Sequence, residues 1–298
     1  MEKTIDLSIC IVSWRVKDLL KNCLDSIYNK SWKINFETFV IDNNSCDGTA
    51  EMVKEYFPQV NFVQNRTNDG FTKTNNILIK ESRGRYVLLL NPDTIIHPNS
   101  LDKMAEFMDV HPEAGAMGPK LLNSDGTLQK SCMGLPTLSA LVFRNLFIEA
   151  LAPWNKISRK YLMKDFTYDQ TKIVDQPMGA ALIIRKSILD NVGLMDENIM
   201  MFFDEVDLCC RIKNAGWKIY FYPDAIITHY GGQSIKSWTP FRLGKTWNKS
   251  RNYYFGKHFG KWAVIILKLS DMLKAIILLV FASAFIYLIF KFYSIIKP

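Results

Sequence analysis

Residues 88–96 read LLLNPDTII, and this stretch decides the fold class. Its three leucines extend an apolar run that begins at Tyr86 and Val87. A continuous apolar run of this length is typical of a strand that is buried on both faces of a parallel sheet. Pro92 has no amide hydrogen for the sheet ladder, so the strand should end at this proline. We therefore predict a buried strand that ends just before Asp93.

Asp93 has two interpretations at this position. Asn-Pro-Asp is favourable turn chemistry, so the aspartate can be a turn residue. Alternatively it can be a ligand-binding residue, because open α/β sheets bind ligands beyond the carboxyl ends of their strands. The stretch alone leaves both interpretations open.

The rest of the first 240 residues shows an alternation of strand-like and helix-like segments. This order predicts a parallel sheet with helices on both faces. After about residue 115 the alternation breaks, and residues 131–168 are predicted to be an irregular, aromatic and basic insertion. The predicted strands are 7–13, 36–41, 60–63, 86–90, 180–185, 218–222 and 225–229, and the predicted helices are 18–28, 49–56, 72–82, 100–110 and 205–215.

The positive charge is concentrated near the end of the chain. The net charge is +8, and ten of the 37 Lys and Arg side chains, but one of the 29 acidic ones, lie between Arg242 and Pro298. A nucleic-acid-binding protein would more often spread basic charge over its folded surface, so no nucleic-acid partner is expected.

The same segment contains residues 275–290, AIILLVFASAFIYLIF, which carry no charge. Sixteen residues fall just short of the roughly 17–25 that cross a bilayer, and Lys274 and Lys291 can lengthen the span by snorkelling. The alternative is a buried helix. We expect a folded domain at 1–240 and a basic, hydrophobic, membrane-associating tail at 241–298. The positive flank favours the cytoplasmic face of the membrane.

Acidic residues recur at two predicted strand ends and one predicted helix start. Asp42 ends the second strand, and it shares an edge with Asp93 if the strands are parallel. The segment FFDEVDLC, at 202–209, opens a helix with three acids, Asp204, Glu205 and Asp207. An edge that gathers carboxylates in this way is a candidate ligand cleft.

The ligand at this edge is not expected to be held by a glycine-rich phosphate loop. Neither G-x-G-x-x-G nor G-x-x-x-x-G-K-[ST] occurs after the first strand. A divalent metal bound by Asp93 can neutralise a diphosphate instead. His229, in the segment THYGG, is a candidate second ligand, although a strand-end histidine with a backbone partner is the alternative.

The acids of FFDEVDLC also have two interpretations. Acids in the first turn of a helix interact favourably with the helix dipole, and Asp207 can pair with Arg211 four residues later. Glu205 is less well explained in that way. A carboxylate beside Phe202 and Phe203 can have the raised pKa that suits a general base.

Taken together, these segments resemble the family 2 glycosyltransferases with a GT-A fold, in particular the rhamnosyltransferase-like members. The resemblance covers about 230 residues in the expected order. The matching segments are SICIVSW (8–14), VIDNNSCDGT (40–49), NDGFTKTNN (68–76), LLLNPDT (88–94), MGAALIIRKSIL (178–189) and LMDENIMMFFDEVDLCCRIKNAGWKIYFYPDAIITHYGGQS (194–234).

This resemblance implies a mixed, mostly parallel sheet flanked by helices and an inverting transfer from a nucleotide-diphosphate sugar. The acceptor would be a glycan or a polyprenyl-linked glycan of the bacterial surface. The cofactor would be a divalent metal, Mg²⁺ or Mn²⁺. The implied donor-binding residues are Ser13 on the ribose side, Asp42 at the base, and Asn68, Gly70, Asn75, Asn91 and Asp93.

The resemblance also assigns the remaining roles. Asp93 matches the last acid of the family's D-x-D metal motif, and His229 would complete the metal shell. Glu205 falls where the family has its catalytic aspartate. Two departures are visible. Asn91-Pro92-Asp93 lacks the first acid of D-x-D, and Asp204-Glu205 reverses the usual Glu-Asp order, which leaves Asp204 and Asp207 as alternative bases.

Two other functions remain open at this point. One is a membrane-anchored sugar-nucleotide-binding protein without transfer activity, which the altered metal motif favours. The other is a nucleotidyltransferase, which would need a basic glycine-rich loop where this chain has Ser13-Trp14-Arg15-Val16-Lys17.

Overall fold

The computed structural model describes residues 4–236 and 238–296. The chain forms two compact units. The first consists of Met1–Leu135 and Asp165–Arg251, and the second of Pro136–Lys164 and Asn252–Pro298. The sequence predicts a boundary after residue 240. The first unit extends eleven residues further, and the second unit also includes 136–164.

The strands of the described chain all belong to the first unit. In chain order they are β1 (Leu7–Ser13), β2 (Phe36–Asp42), β3 (Asn61–Gln64), β4 (Tyr86–Leu90), β5 (Thr94–Ile96), β6 (Ala114–Leu122), β7 (Leu128–Gln129), β8 (Cys132–Met133), β9 (Lys172–Ile173), β10 (Gln176–Pro177), β11 (Ala181–Arg185) and β12 (Lys218–His229).

The helices of the described chain alternate with the first strands and dominate the end of the chain. In chain order they are α1 (Lys17–Tyr28), α2 (Thr49–Tyr56), α3 (Phe71–Glu81), α4 (Ser100–Val110), α5 (Leu138–Asn145), α6 (Ile148–Leu151), α7 (Lys156–Tyr161), α8 (Leu189–Val192), α9 (Asp204–Asn214), α10 (Pro240–Phe259) and α11 (Lys261–Ile296).

One mixed sheet organises the first unit. Its strand order is β3-β2-β1-β4-β11-β6-β12-β5, with β7 beside β6 and β9 beside β12. Parallel pairings join β1 to β2, β2 to β3, β1 to β4, and β6 to β12, whereas β11 is antiparallel to both of its neighbours. The predicted mostly parallel sheet with flanking helices is therefore confirmed.

Burial explains the apolar runs of the central strands. Every residue of β1 and of β4 is buried, because helices cover both faces of the sheet. These strands therefore show no alternation of buried and exposed side chains. The core is built from strand side chains such as Ile9 and Leu88 and from helical ones such as Leu24 and Met104.

The two closing strands predicted at 218–222 and 225–229 are one strand. β12 runs from Lys218 to His229, and its register with β6 shifts between Tyr222 and Ile226. The Pro223-Asp224 pair, which suggested a break in the sequence, is accommodated by this irregularity.

The second unit contains residues 136–164, which are most of the segment predicted to be irregular, and that prediction is wrong for residues 138–161. Three short helices lie there, and side chains cap two of them. Thr137 accepts a hydrogen bond from the Ala140 amide, and Asn155 accepts one from the Ser158 amide. Asn145 at the end of α5 donates to Ser270 Oγ at 2.9 Å and to Asp271 Oδ1 at 2.7 Å, so α5 packs on α11.

Helix α11 carries the apolar tail. Among the described residues, one helical stretch, Lys261–Ile289, is long and apolar enough to cross a membrane. Its 29 residues contain a window with a mean hydropathy of 2.5, and that window has no buried side chains. The helix is longer than the uncharged segment 275–290 from which the tail was predicted.

Candidate active site

The carboxyl ends of β1, β2 and β4 meet at one edge of the sheet because the three strands are parallel. Ser13 and Asp42 are neighbours in the register of β1 and β2, and both are fully buried. Asp93 follows the end of β4 at the same edge and is 5% exposed. The fold thus gathers three of the predicted donor-binding residues at one edge of the sheet.

Asp42 and Ser13 differ in their hydrogen bonding. Both carboxylate oxygens of Asp42 accept from Ser45, one from its amide at 3.1 Å and one from its hydroxyl. Ser45 Oγ also accepts from the Arg15 amide at 2.8 Å, which ties the loop after β1 to the loop after β2. The buried Ser13 hydroxyl has no hydrogen-bond partner in the described part of the chain. A buried hydroxyl without a partner lowers stability, so Ser13 is a group with unused bonding capacity.

Asn43 connects the end of β2 to the start of α3. Its Oδ1 accepts from Asn65 Nδ2 at 2.8 Å and from Thr74 Oγ1 at 3.1 Å, and its Nδ2 donates to the Gly70 carbonyl at 3.3 Å. The Thr74 hydroxyl shares its single proton between Asn43 Oδ1 and the same carbonyl, whose oxygen lies 2.7 Å from Thr74 Oγ1. Asn43 was not predicted as a site residue, although this residue directly follows Asp42 at the strand end.

The predicted donor-pocket residues Asn68, Gly70 and Asn75 lie around the first turns of α3. Asn68 is exposed and its Oδ1 accepts from the Gly70 amide at 3.0 Å. Gly70 has a φ of +84° immediately before the helix, a conformation that favours glycine. Asn75 is buried and donates to the Phe71 carbonyl at 3.1 Å within the helix. The pocket role of these three residues stays a prediction.

Asp93 and His229 face each other across the β5–β12 pairing. His229 Nε2 lies 3.4 Å from Asp93 Oδ1 and 3.4 Å from Asn91 Nδ2. The other ring nitrogen, Nδ1, lies 2.8 Å from Gln129 Oε1. His229 is 6% exposed, so its ring is held by these side chains rather than by water.

A divalent cation is compatible with Asp93 and His229. Within residues 4–236 and 238–296, no cluster of three or more His, Cys, Asp and Glu side chains is arranged to hold a metal ion. A cation that also binds substrate phosphates needs only one or two protein carboxylates, and neutral imidazole is a common metal ligand. The two side chains present therefore fit a site that a diphosphate would complete.

The acidic helix α9 begins after a strained turn. Phe202 and Phe203 have φ values of 60° and 57°, which is unusual for residues with bulky side chains. Trp247 of α10 packs edge-on against both rings, at centroid distances of 5.5 and 4.9 Å. Ser250 of the same helix donates to the Met201 carbonyl at 2.7 Å. Helix α10 thus packs against the Phe202-Phe203 turn, which sets the orientation of the first acids of α9.

Asp204 and Glu205 form a coupled pair of acids. Burial raises the pKa of Asp204 well above its usual range, and the neighbouring Glu205 charge raises it further. Burial also raises the pKa of Glu205, while hydrogen bonds from backbone amides, that of Gly179 among them, limit the rise. The two side chains share a hydrogen bond. Burial therefore raises the pKa of both acids, and the Glu205 charge adds to the rise at Asp204.

Gly179 lies between the Asp204-Glu205 pair and the end of β4. A methyl group at Gly179 would lie 3.3 Å from Glu205 Cβ and 3.4 Å from its Cγ, and the first of these distances is tighter than ordinary van der Waals contact. The next residue, Ala180, accepts a hydrogen bond from the Asn91 amide at 2.9 Å. The short segment Gly179-Ala180 therefore places Glu205 near the Asn91-Pro92-Asp93 turn.

Asp207 makes the ion pair that its spacing predicted. Its Oδ2 accepts from Arg211 Nε at 2.8 Å, and the carboxylate is fully buried. Arg211 also donates to the carbonyls of Val192, Gly193 and Leu194. This arrangement anchors α9 to the preceding loop and differs from the environment of Asp204 and Glu205.

Comparison with known proteins places the chain in a family. The sequence model of the family described as "Glycosyltransferase like family 2" matches residues 6–248, more than half of the chain. The chain belongs to this family. The prediction of a family 2 glycosyltransferase, made from the motifs, is confirmed.

Curated relatives of this family 2 glycosyltransferase include two rhamnosyltransferases. The chain is 26% identical over 237 residues to an N-acetylglucosaminyl-diphospho-decaprenol L-rhamnosyltransferase of Mycobacterium tuberculosis, and the match covers 74% of this chain and 75% of the relative. It is 22% identical over 238 residues to the rhamnosyltransferase WbbL of Escherichia coli, and that match covers 77% of this chain and 85% of the relative.

Solved structures show the same GT-A fold. Mannosyltransferase PcManGT from Pyrobaculum calidifontis, in complex with GDP-Man and Mn²⁺, superposes with a TM-score of 0.55 at 14% identity, covering 98% of this chain and 84% of that one. S. aureus TarS 1-349, in complex with UDP-GlcNAc, gives a TM-score of 0.55 at 18% identity, covering 84% of this chain and 65% of that one. The predicted fold class of this glycosyltransferase is confirmed.

Four residues of the candidate active site were not predicted from the sequence to have a role there. They are Asn43, Gln129, Gly179 and Trp247. Two of them had a usable signal. Asn43 lies in the strand-end motif VIDNNS, and Gly179 lies in the matching segment that begins at Met178. Gln129 and Trp247 belong to segments without a motif, and their roles depend on contacts with residues far away in the sequence.

Proposed function

We propose that this glycosyltransferase moves a sugar, with inversion, from a nucleotide-diphosphate donor to a hydroxyl group of a lipid-linked or polysaccharide acceptor in bacterial cell-surface glycan synthesis. One observation carries the proposal. The Asp93 carboxylate faces the His229 imidazole at the sheet edge where Ser13 and Asp42 also lie. A carboxylate, an imidazole and an unpartnered hydroxyl at one edge suit a metal-bound nucleoside diphosphate.

The donor nucleotide is proposed to bind along the ends of β1 and β2. Asp42 would hold the base and the unpartnered Ser13 hydroxyl would bond on the ribose side. Asn68, Gly70 and Asn75 would shape the pocket from α3. Asn91 would contact the donor next to Asp93.

A divalent cation, Mg²⁺ or Mn²⁺, is proposed to be held by Asp93 and His229. When bound, it supplies the positive charge that makes a nucleoside diphosphate a good leaving group, so no protein acid is needed on that side. Asn91 replaces the first acid of the usual D-x-D motif and adds no negative charge. Asp93 then carries the full negative charge of this motif toward the cation.

Glu205 is proposed to be the general base. Inversion requires a base on the face of the sugar opposite to the leaving diphosphate, and Glu205 Oε would accept the proton of the acceptor hydroxyl. The protonated Asp204 would donate to Glu205 and orient it. Asp207 would keep α9 in place through Arg211. Burial raises the pKa of Glu205, so the loss of kcat with falling pH should begin above the usual range of a glutamate.

Rhamnose is the first sugar to test, because the relatives from M. tuberculosis and E. coli are rhamnosyltransferases. The decaprenyl-linked acceptor named for the first of them makes a polyprenyl-diphosphate-linked sugar the first acceptor to test. The donor screen should contain dTDP-rhamnose beside UDP- and GDP-sugars.

The test uses the full chain in detergent with each donor, with Mn²⁺, with Mg²⁺ or with a chelator. We expect one donor to bind and to turn over slowly with metal. Asp93→Ala should weaken donor binding in the presence of metal, and Glu205→Gln should leave binding intact and abolish turnover. Glu55→Ala removes an exposed carboxylate from the last turn of α2, so it is the matched control and should behave like the unmodified chain.

Two outcomes would contradict the proposal. If no donor binds under any condition, Asp93 is a turn residue and the edge is not a donor site. If a donor binds with metal but no acceptor is glycosylated, and Glu205→Gln changes nothing, the chain binds sugar nucleotides without transferring them.

The tail is proposed to anchor the enzyme on the cytoplasmic face of the membrane. Lys261–Ile289 has the length and composition of a membrane-spanning helix, and most of its apolar side chains are exposed. Basic residues that precede it, from Arg242 onward, suit anionic headgroups of the cytoplasmic leaflet. Anchoring would bring the enzyme to lipid-linked acceptors that diffuse in two dimensions.

A further inference from the structure

We infer that Gln129 is a positioning residue, which fixes the proton of His229 on Nδ1 and thereby presents the Nε2 lone pair toward Asp93. This inference rests on the proposed function, because it assigns Nε2 to the cation site. Gln129 lies on β7, a two-residue strand that pairs with β6, and its side chain reaches the end of β12, one hundred residues later.

The orientation of the Gln129 amide follows from its acceptors. Its Nε2 lies 3.1 Å from the His229 carbonyl oxygen and 2.9 Å from Asn123 Oδ1. A backbone carbonyl oxygen can only accept a hydrogen bond, so the group that faces it is the NH₂ group. The remaining group of the amide, Oε1, therefore faces the ring of His229.

The tautomer of His229 follows from the orientation of Gln129. Oε1 can only accept, and it lies 2.8 Å from His229 Nδ1, so Nδ1 must carry a proton. In a neutral imidazole the other nitrogen then has no proton and is free to act as a ligand. Gln129 thus excludes the neutral tautomer in which Nε2–H would block a cation.

The surroundings of Nε2 support this assignment. Asp93 Oδ1 lies 3.4 Å from Nε2, and both side chains are buried. A lone pair that faces a carboxylate oxygen is unfavourable unless positive charge lies between the two atoms. The Asn91 side-chain nitrogen can approach the same lone pair, but 3.4 Å is longer than the usual N–H hydrogen bond. The geometry is that of a ligand whose other ring nitrogen is held by an outer hydrogen bond, as is usual for metal-binding histidines.

The test reads the tautomer directly. The full chain in detergent is labelled with ¹⁵N-histidine, and the ring signals of His229 are assigned with a His229→Gln variant among only four histidines. We expect the unmodified chain to show a protonated Nδ1 and an unprotonated Nε2, and a ring with protons on both nitrogens would overturn the inference. Gln129→Met, which removes the acceptor, should shift the ring toward the Nε2–H form. Gln170→Met, at an exposed position, is the matched control.

Metal affinity provides the second measurement. Mn²⁺ binding in the presence of a nucleoside diphosphate is followed by electron paramagnetic resonance. Loss of an outer hydrogen bond to a ligating histidine typically weakens metal affinity by roughly 10- to 100-fold, and we expect Gln129→Met to fall in this range. Gln170→Met should bind Mn²⁺ as the unmodified chain does. Circular dichroism and thermal unfolding establish that each variant is folded.

The outcomes separate the inference from the proposed function. An unchanged His229 tautomer in folded Gln129→Met would overturn the inference and leave the transferase proposal standing. A changed tautomer with unchanged Mn²⁺ affinity would also overturn it, because Nε2 would then not be a ligand. If the unmodified chain binds donor with no dependence on Mn²⁺ or Mg²⁺, the proposed cation site itself is wrong, and the inference falls with it.

Discussion

Asp204 is a buried acid of the candidate active site, and its burial lowers the free energy of unfolding. The raised pKa of its carboxyl group means that the folded chain binds the proton more tightly than the unfolded chain does. The free energy of unfolding must then fall as pH rises from the unfolded carboxyl pKa, about 4, through the raised folded value, and it stays low above that value. At neutral pH the pair of acids destabilises the fold.

We therefore predict that Asp204→Asn raises the melting temperature at pH 7. Asparagine keeps a donor toward Glu205 and removes the cost of a second buried acid. A gain of roughly 2–4 °C corresponds to ~1 kcal/mol for a protein of about this size. Scanning calorimetry or fluorescence melting at pH 4 to 8, at one scan rate, checks the prediction.

The gain should shrink toward pH 4, where the folded chain keeps the Asp204 proton and the unfolded chain begins to bind it. A gain that is independent of pH would contradict the assignment of the proton. Asp207→Asn is the contrasting variant. It breaks a buried ion pair with Arg211, so its melting temperature should fall.

At the scale of elements, the loop before β11 packs directly on the start of α9. Gly179 has no side chain there because Glu205 occupies the space, and a methyl group would approach Glu205 Cβ to 3.3 Å. The neighbour must then move by a few tenths of an ångström. Catalytic geometry is sensitive to such shifts, and a displacement of about 1 Å can cost ~100-fold in rate.

We predict that Gly179→Ala lowers kcat by about tenfold while the KM for the donor changes little, since the displaced group acts on the acceptor. Steady-state kinetics with a saturating acceptor measures both constants. Gly244→Ala is the matched control, because a methyl group at Gly244 of α10 meets nothing within 4 Å. An unchanged kcat in Gly179→Ala would mean that Glu205 does not act on the acceptor hydroxyl.

The contact between α10 and the Phe202-Phe203 turn is the second packing feature of this kind. Each of these residues has a left-handed conformation that costs about 1–3 kcal/mol, and it persists only because its surroundings impose it. Edge-on ring contacts contribute ~0.5–1.5 kcal/mol each, and Trp247 makes two of them.

We predict that Trp247→Ala lets this turn relax and lowers kcat by roughly tenfold, with donor affinity nearly unchanged because the nucleotide edge lies on β1 and β2. Donor titration and single-turnover rates separate the two effects. Phe241→Ala in the same helix removes a ring that is 79% exposed and should alter neither. Equal loss of donor affinity and rate would indicate general unfolding instead of a local change at Glu205.

At the scale of the whole molecule, the exposed apolar surface of α11 is the feature that most strongly predicts where the protein resides. Phe281 and Phe285 lie in the middle of the uncharged stretch, and their rings are largely exposed. A charged residue at the centre of a bilayer costs about 2.5–3.5 kcal/mol on insertion scales.

We predict that Phe281→Arg with Phe285→Arg releases most of the chain from membranes under an alkaline wash that leaves the unmodified chain bound. The matched control is Phe281→Leu with Phe285→Leu, which should stay bound. Equal retention of the arginine variant would mean that the helix packs against protein and does not enter the bilayer. Immunoblots of washed membrane fractions provide the measurement.

Sequence alone predicted the order of the elements from β1 to β4 and the edge that carries the site. Apolar runs such as that of β4 and turn residues such as Asn91-Pro92 act locally, so they indicate where a strand lies and where it ends. Because parallel strands end at one edge, the positions of Asp42 and Asp93 followed from this order, and the family resemblance added Ser13. The residue types also made Glu205 and His229 candidates, and the family resemblance gave each of them a role.

Which of these residues are in contact depends on the tertiary structure. Gln129 and His229 are one hundred residues apart, and their contact depends on the pairing of β7 with β6 and of β6 with β12. Gly179 beside Glu205 and Trp247 beside Phe203 depend in the same way on packing between distant segments. The raised pKa of Asp204 depends on burial, which the local sequence does not encode. Local chemistry therefore determined the framework, and long-range packing decided the orientation and charge of the groups within it.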